Sequence, residues 1–165
     1  RPELLIPDEP TTGLPPAVRL ALWERVRELR SGGTTILLTA HYMDEAERLC
    51  DRLAILAAGR VVAEGAPATL IREHLAPQAL ELALPAGAEP QALAAAVATT
   101  LTGLDGVRHL RSGRRLVLYV PDAAALLETL RQRGAAGDPG AVVVRPANLE
   151  DVFLALTGTG LEGGA

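Results

Sequence analysis

Two short aliphatic runs, "ELLI" at residues 3–6 and "TTILLT" at residues 34–39, enclose a stretch whose apolar side chains recur at helical spacing. Val18, Leu22, Val26 and Leu29 would share one face of that helix, Pro15 and Pro16 suit its first turn, and Gly32 with Gly33 stops it. A strand, a helix and a strand in such close succession form a right-handed crossover, and a crossover makes its two strands parallel. Parallel neighbours finish at the same edge of their sheet. The residues just after 6 and just after 39 therefore meet there, where open α/β sheets bind their ligands.

Both continuations carry ionisable groups. The first run leads into "PDEPTTGLPP" and the second ends in "AH", so adjacent strands about 4.8 Å apart would set Asp8, Glu9 and His41 along one crevice. An ionised side chain closing an apolar strand needs water, a partner or a metal. Two carboxylates and an imidazole suit hydrolysis of a nucleoside triphosphate. Asp8 would hold Mg2+ directly or through water, Glu9 would orient and deprotonate the attacking water, and His41 would touch the terminal phosphate. An isolated Asp-Glu pair is more often a loop cap beside a solvated side chain, and a lone histidine more often satisfies a carbonyl. For the Asp-Glu pair by itself the bland reading stands, while for His41 the spacing favours the chemical one. A magnesium-dependent hydrolase working without a phosphate-binding loop ranks below it, because consecutive strand residues face opposite ways.

Other function classes recede on composition. The net charge is -4 and no stretch concentrates arginine strongly, which argues against direct binding of nucleic acid. The single cysteine, Cys50, excludes an internal disulfide and a cysteine-based zinc cluster, while His74 and His109 lack partners at ligand spacing. No apolar run approaches the ~20 residues of a membrane-spanning helix, and the first residues lack the form of a secretory signal.

The remaining elements suggest two domains of mixed α/β character. After His41, "YMDEAERLCD" reads as a short helix with Met43, Ala46, Leu49 and Cys50 inward, "LAILAAGRVVAEG" as a hairpin turning at Ala58 and Gly59, and "PATLIREHL" as a helix. Prolines at 77, 85 and 90 then punctuate an alanine-rich stretch that suggests a boundary. Beyond it, "ALELAL", "PQALAAAVATTL", "VRHLRS", "RRLVLYV", "DAAALLETLRQRG" and "AVVVR" read in order as βαββαβ, the arrangement of a ferredoxin-like α+β domain. A closing helix, "NLEDVFLALTG", has Asn148 as its cap. The expected domains are thus residues 1–77 and 78–158, with a disordered tail at 159–165.

"LLIPDEPTTGL" followed at helix-plus-strand distance by "TILLTAH" resembles the second half of an ATP-binding cassette (ABC) nucleotide-binding domain, and "RLCDRLAILAAGRVVAEGAPATLI" resembles the end of one. The resemblance implies that Asp8 is the Walker B aspartate and ligand of Mg2+, Glu9 the catalytic base, His41 the switch histidine, and Gly13, Leu14 and Pro15 part of the D-loop. It further implies ATP and Mg2+ as cofactors, a second nucleotide-binding subunit and a transmembrane permease as partners, and a cytoplasmic place on the inner face of the membrane. The segment ending "NLEDVFLALTG" resembles the C-terminal extension of bacterial exporters of the daunorubicin-resistance type, for a drug or lipid-like cargo.

The sequence departs from that pattern. ABC domains cradle phosphates with a Gly-rich loop ending in Gly-Lys-Ser/Thr. All 16 basic residues of this chain are arginine, and the Ser-Gly-Gly-Gln signature expected before Walker B is absent too. The expectation is the C-terminal half of a P-loop-type domain, inactive by itself and an ATPase only in a complete subunit. Pro7 occupies an aliphatic strand position and Pro15 replaces the D-loop aspartate, which points to weakened coupling. The alternative is a non-enzymatic regulatory or dimerisation module derived from such a subunit.

Overall fold

The computed structural model describes residues 2–83, 108–112, 115–132 and 142–157. The chain forms two compact units, residues 1–68 and 69–165. In the first, strand β1 (Leu4–Leu5), helix α1 (Pro16–Ser31) and strand β2 (Thr35–Ile36) make the expected crossover, with β1 and β2 parallel and Leu4 opposite Thr35. Carbonyls of Glu3, Leu5 and Pro7 accept the amides of Thr35, Leu37 and Thr39 at 2.9, 3.0 and 3.2 Å. Regular pairing nevertheless stops after Leu5, because Pro7 has no amide hydrogen to return. It resumes as a single parallel bridge between Asp8 and Thr39.

Both strands are therefore shorter than the aliphatic runs, and the first is not buried as expected: Leu4, Ile6 and Leu37 are exposed. The covered face carries Ile36 and Leu38, which pack on Trp23, Val26 and Leu49. α1 starts on Pro16 and stops where the Gly32 amide reaches the Glu28 carbonyl at 3.0 Å, followed by Gly33 at φ +89°. Its inward face centres on Trp23 and Val26, whereas Val18 is exposed. The indole fills the centre of this small cluster, against Ile36 and Leu38.

Helix α2 (Met43–Leu49) follows His41, and strands β3 (Leu53–Ala57) and β4 (Arg60–Gly65) form the anticipated hairpin. Its two-residue turn has Ala58 at φ +48° and Gly59 at φ +74°, the left-handed pair such a turn requires. Helix α3 (Pro67–His74) comes next.

The second unit contains β5 (Gln78–Ala83), β6 (Arg108–Ser112), β7 (Arg115–Val120), helix α4 (Ala123–Gln132), β8 (Val142–Pro146) and helix α5 (Leu149–Thr157). The strands lie in the spatial order β6-β7-β5-β8, antiparallel throughout. The helix expected from "PQALAAAVATTL" and the tail at 159–165 fall outside the described residues. Strand alternation puts Leu80, Leu82, Leu116, Leu118 and Val120 on one face, packed with Ala123, Leu126 and Leu130 of α4.

The same alternation puts Glu81, Tyr119 and Arg145 on the other face, which α5 meets through Asp151. Asp151 is buried and accepts four hydrogen bonds, from the Tyr119 hydroxyl at 2.8 Å, two Arg145 nitrogens at 2.6 and 2.8 Å, and the Asn148 amide at 2.9 Å. Asn148 Oδ1 in turn accepts the Asp151 amide at 3.0 Å, so it caps α5 as expected and the two side chains cap reciprocally. Burial, then the Asp151 carboxylate, pushes the Tyr119 phenol well up. The hydrogen bond to Asp151 holds Arg145 firmly protonated against the opposing effect of burial.

Candidate active site

Thr39 is the hub of the acidic pair. Its hydroxyl donates to Asp8 Oδ1, and its Oγ1 accepts the Glu9 amide at 2.9 Å. Both carboxylates are exposed at the end of β1. The chain then turns sharply, with Glu9 at φ +42°, the Thr12 amide on the Glu9 carbonyl at 3.1 Å, and the Thr12 hydroxyl on Glu9 Oε2 at 3.2 Å. A left-handed non-glycine residue costs about 1–2 kcal/mol, and here, as at Ala58, it makes a tight turn. Strand alternation consequently ends at Asp8 and does not force Glu9 to the opposite face.

The turn continues through Gly13 at φ +78°, a conformation that favours glycine, and the Leu14 amide closes on the Thr11 carbonyl at 3.1 Å. Pro15 is the cap residue of α1, and its carbonyl accepts the Arg19 amide at 3.0 Å. His41 lies two residues beyond Thr39, so it leaves the same strand end as the carboxylates. Its ring stands edge-on to Tyr42 with centroids 6.1 Å apart. Among the described residues no hydrogen bond joins it to Asp8 or Glu9.

Four residues that sequence reasoning missed hold this edge together: Thr39, Thr11, Trp23 and Glu45. Glu45, on the inner side of α2, is only 1% exposed. Its Oε2 accepts the hydroxyl of Thr11, itself 1% exposed, at 2.9 Å, and its Oε1 accepts the Trp23 indole N–H at 3.1 Å. The Trp23 ring also lies 5.8 Å from the Arg19 guanidinium and 5.6 Å from that of Arg48, and Arg19 sits 4.9 Å from the Tyr42 ring. A signal existed in the sequence. Glu45 and Leu49 are four apart on a helix, so the face that buries leucine also carries a carboxyl group.

The donor set fits Mg2+, which takes hard oxygen ligands and keeps waters or phosphate oxygens beside one or two carboxylates. Asp8 offers an exposed carboxylate with one oxygen steadied by Thr39. Among the described residues no three metal-binding side chains converge, so the ion would need phosphate and water to complete its shell. Cys50 takes no part. Burial, then Glu45 and Asp51, raises its thiol, against Arg30.

Residues 91–158 match the family described as the C-terminal domain of the nodulation factor export protein NodI. The chain is 45% identical over 161 residues to the Nod factor export ATP-binding protein I of Mesorhizobium japonicum, covering 98% of this chain and 44% of that protein. The corresponding protein of Rhizobium etli is 45% identical over 98% of this chain and 47% of its own length. That of Paraburkholderia xenovorans is 46% identical over 95% and 48% respectively. These homologues are ATP-binding subunits of an exporter. The chain covers only their C-terminal part, less than half of each. A solved ATP-binding subunit of an ABC transporter overlaps 44% of this chain and 30% of its own at 44% sequence identity, with a TM-score of 0.40. Among the described residues no helix is long and apolar enough to cross a membrane.

Proposed function

We propose that the first unit is the catalytic edge of an ABC exporter's nucleotide-binding domain and that the complete subunit hydrolyses ATP with Mg2+. What supports this reading is the parallel bridge between Asp8 and Thr39, which pairs the segment bearing the carboxylates with the segment that leads to His41. Asp8 is the Mg2+ ligand of the Walker B strand. Glu9 takes the proton of the water that adds to the terminal phosphorus as the bond to the ADP oxygen breaks, and His41 donates to the terminal phosphate. Gly13, Leu14 and Pro15 form the D-loop that faces a second nucleotide-binding subunit.

The second unit is an accessory domain of ferredoxin-like type. In support, its strands follow the spatial order 4-1-3-2 when counted within the unit, all antiparallel. The partner in the membrane is a permease, and the subunit works in the cytoplasm on the inner face. The names of the relatives favour export of a Nod-factor-like cargo over the drug cargo of the daunorubicin type.

The test is ATP hydrolysis by the complete gene product. Glu9→Gln should lower kcat by about 10²–10⁴-fold while Mg-ATP still binds. Unchanged hydrolysis would overturn the assignment.

A further inference from the structure

Glu45 is the buried acidic side chain of the first unit among the described residues, and both its oxygens are engaged by donors from different elements. Thr11 belongs to the turn that begins at Glu9, and Trp23 to α1. Glu45 itself rides on α2, which starts two residues after His41. One carboxyl group thus ties the turn bearing the candidate base to the helix that follows the candidate histidine. The indole it grips is flanked by Arg19, which also covers Tyr42, the neighbour of His41. Loss of the carboxyl group would leave a buried hydroxyl and a buried indole N–H without an acceptor, and nothing else among these contacts joins the turn to α2.

We infer that Glu45 is a positioning residue, which fixes Glu9 relative to His41 by holding Thr11 and Trp23 together. The inference rests on the reading of Glu9 and His41 as hydrolytic residues. Misplacing a reacting group by about 1 Å can cost about 100-fold in rate. Glu45→Ala should therefore lower kcat of the complete gene product by about that factor with KM changed less than about twofold.

Two readouts do not depend on activity. Amide exchange at Thr12 and Leu14 should quicken, and emission from Trp23, the single tryptophan of the chain, should shift to the red. Glu45→Gln should restore all three, since its amide can accept from the indole and donate to the Thr11 hydroxyl. Thr11→Val keeps the shape and the Glu45–Trp23 bond but frees the turn, so it decides the matter if Glu45→Ala fails to fold. Wild-type exchange at Thr12 and Leu14 in Thr11→Val, or a loss of activity carried wholly by KM, would overturn the inference. Normal hydrolysis by Glu9→Gln would instead sink the functional reading, while the exchange rates still report whether Glu45 holds the turn.

Discussion

The Thr39 hydroxyl donates to the Asp8 carboxylate while accepting the amide of the next residue, so a single side chain three residues beyond β2 fixes both members of the acidic pair that follows β1. Thr39→Val removes both bonds at an exposed place, where water can replace them. Stability should fall by less than about 1 kcal/mol. Hydrolysis by the complete gene product should fall by about tenfold or more, as orientation is lost, and Thr39→Ser should recover it. Paired urea unfolding and ATPase assays separate the two effects; an unchanged kcat would remove Thr39 from the site.

Glu9 holds a left-handed backbone that glycine adopts freely. Replacing it by glycine should raise unfolding free energy by about 1 kcal/mol while eliminating hydrolysis. Chemical denaturation of Glu9→Gly beside Glu9→Gln measures this. A Glu9→Gly protein less stable than Glu9→Gln would show that the turn is not strained.

In the second unit, Asp151→Asn should cost about 2 kcal/mol, because part-buried Arg145 loses one carboxylate partner and keeps the other, Glu81. Tyr119→Phe removes one of four donors and should cost about 2 kcal/mol. The Tyr119 phenol is raised above its ordinary value, so the folded state retains the proton longer than the unfolded state does. Its contribution is complete below the ordinary tyrosine value of about 10 and is lost as pH climbs beyond it. Urea midpoints measured against pH should therefore fall on the alkaline side, and Tyr119→Phe should flatten that fall.

Cys50 should react slowly with alkylating reagents. Its thiol is raised chiefly by burial, so at about pH 8 the folded protein presents less thiolate than the same chain in denaturant. Stability linked to this thiol is intact below the ordinary cysteine value of about 8.5 and declines as pH rises further. Equal alkylation rates with and without denaturant would contradict a raised thiol.

Periodicity and punctuation alone determined much of this protein. The crossover between "ELLI" and "TTILLT", the helix between its prolines and glycines, the hairpin at Ala58 and Gly59, and the Asn148 cap all arise from local preferences that neighbours do not override. The same spacing paired Asp8 with Thr39, with Glu9 and His41 following along the two segments. Tertiary structure decided the rest. Period cannot foresee that α1 turns Trp23 inward and leaves Val18 exposed, or that Thr11 and Trp23 are the donors that meet the inward Glu45. A charged residue is assigned to solvent by its type, and the donors that make its burial tolerable lie 34 and 22 residues away in the chain. Only folding brings them within hydrogen-bonding distance.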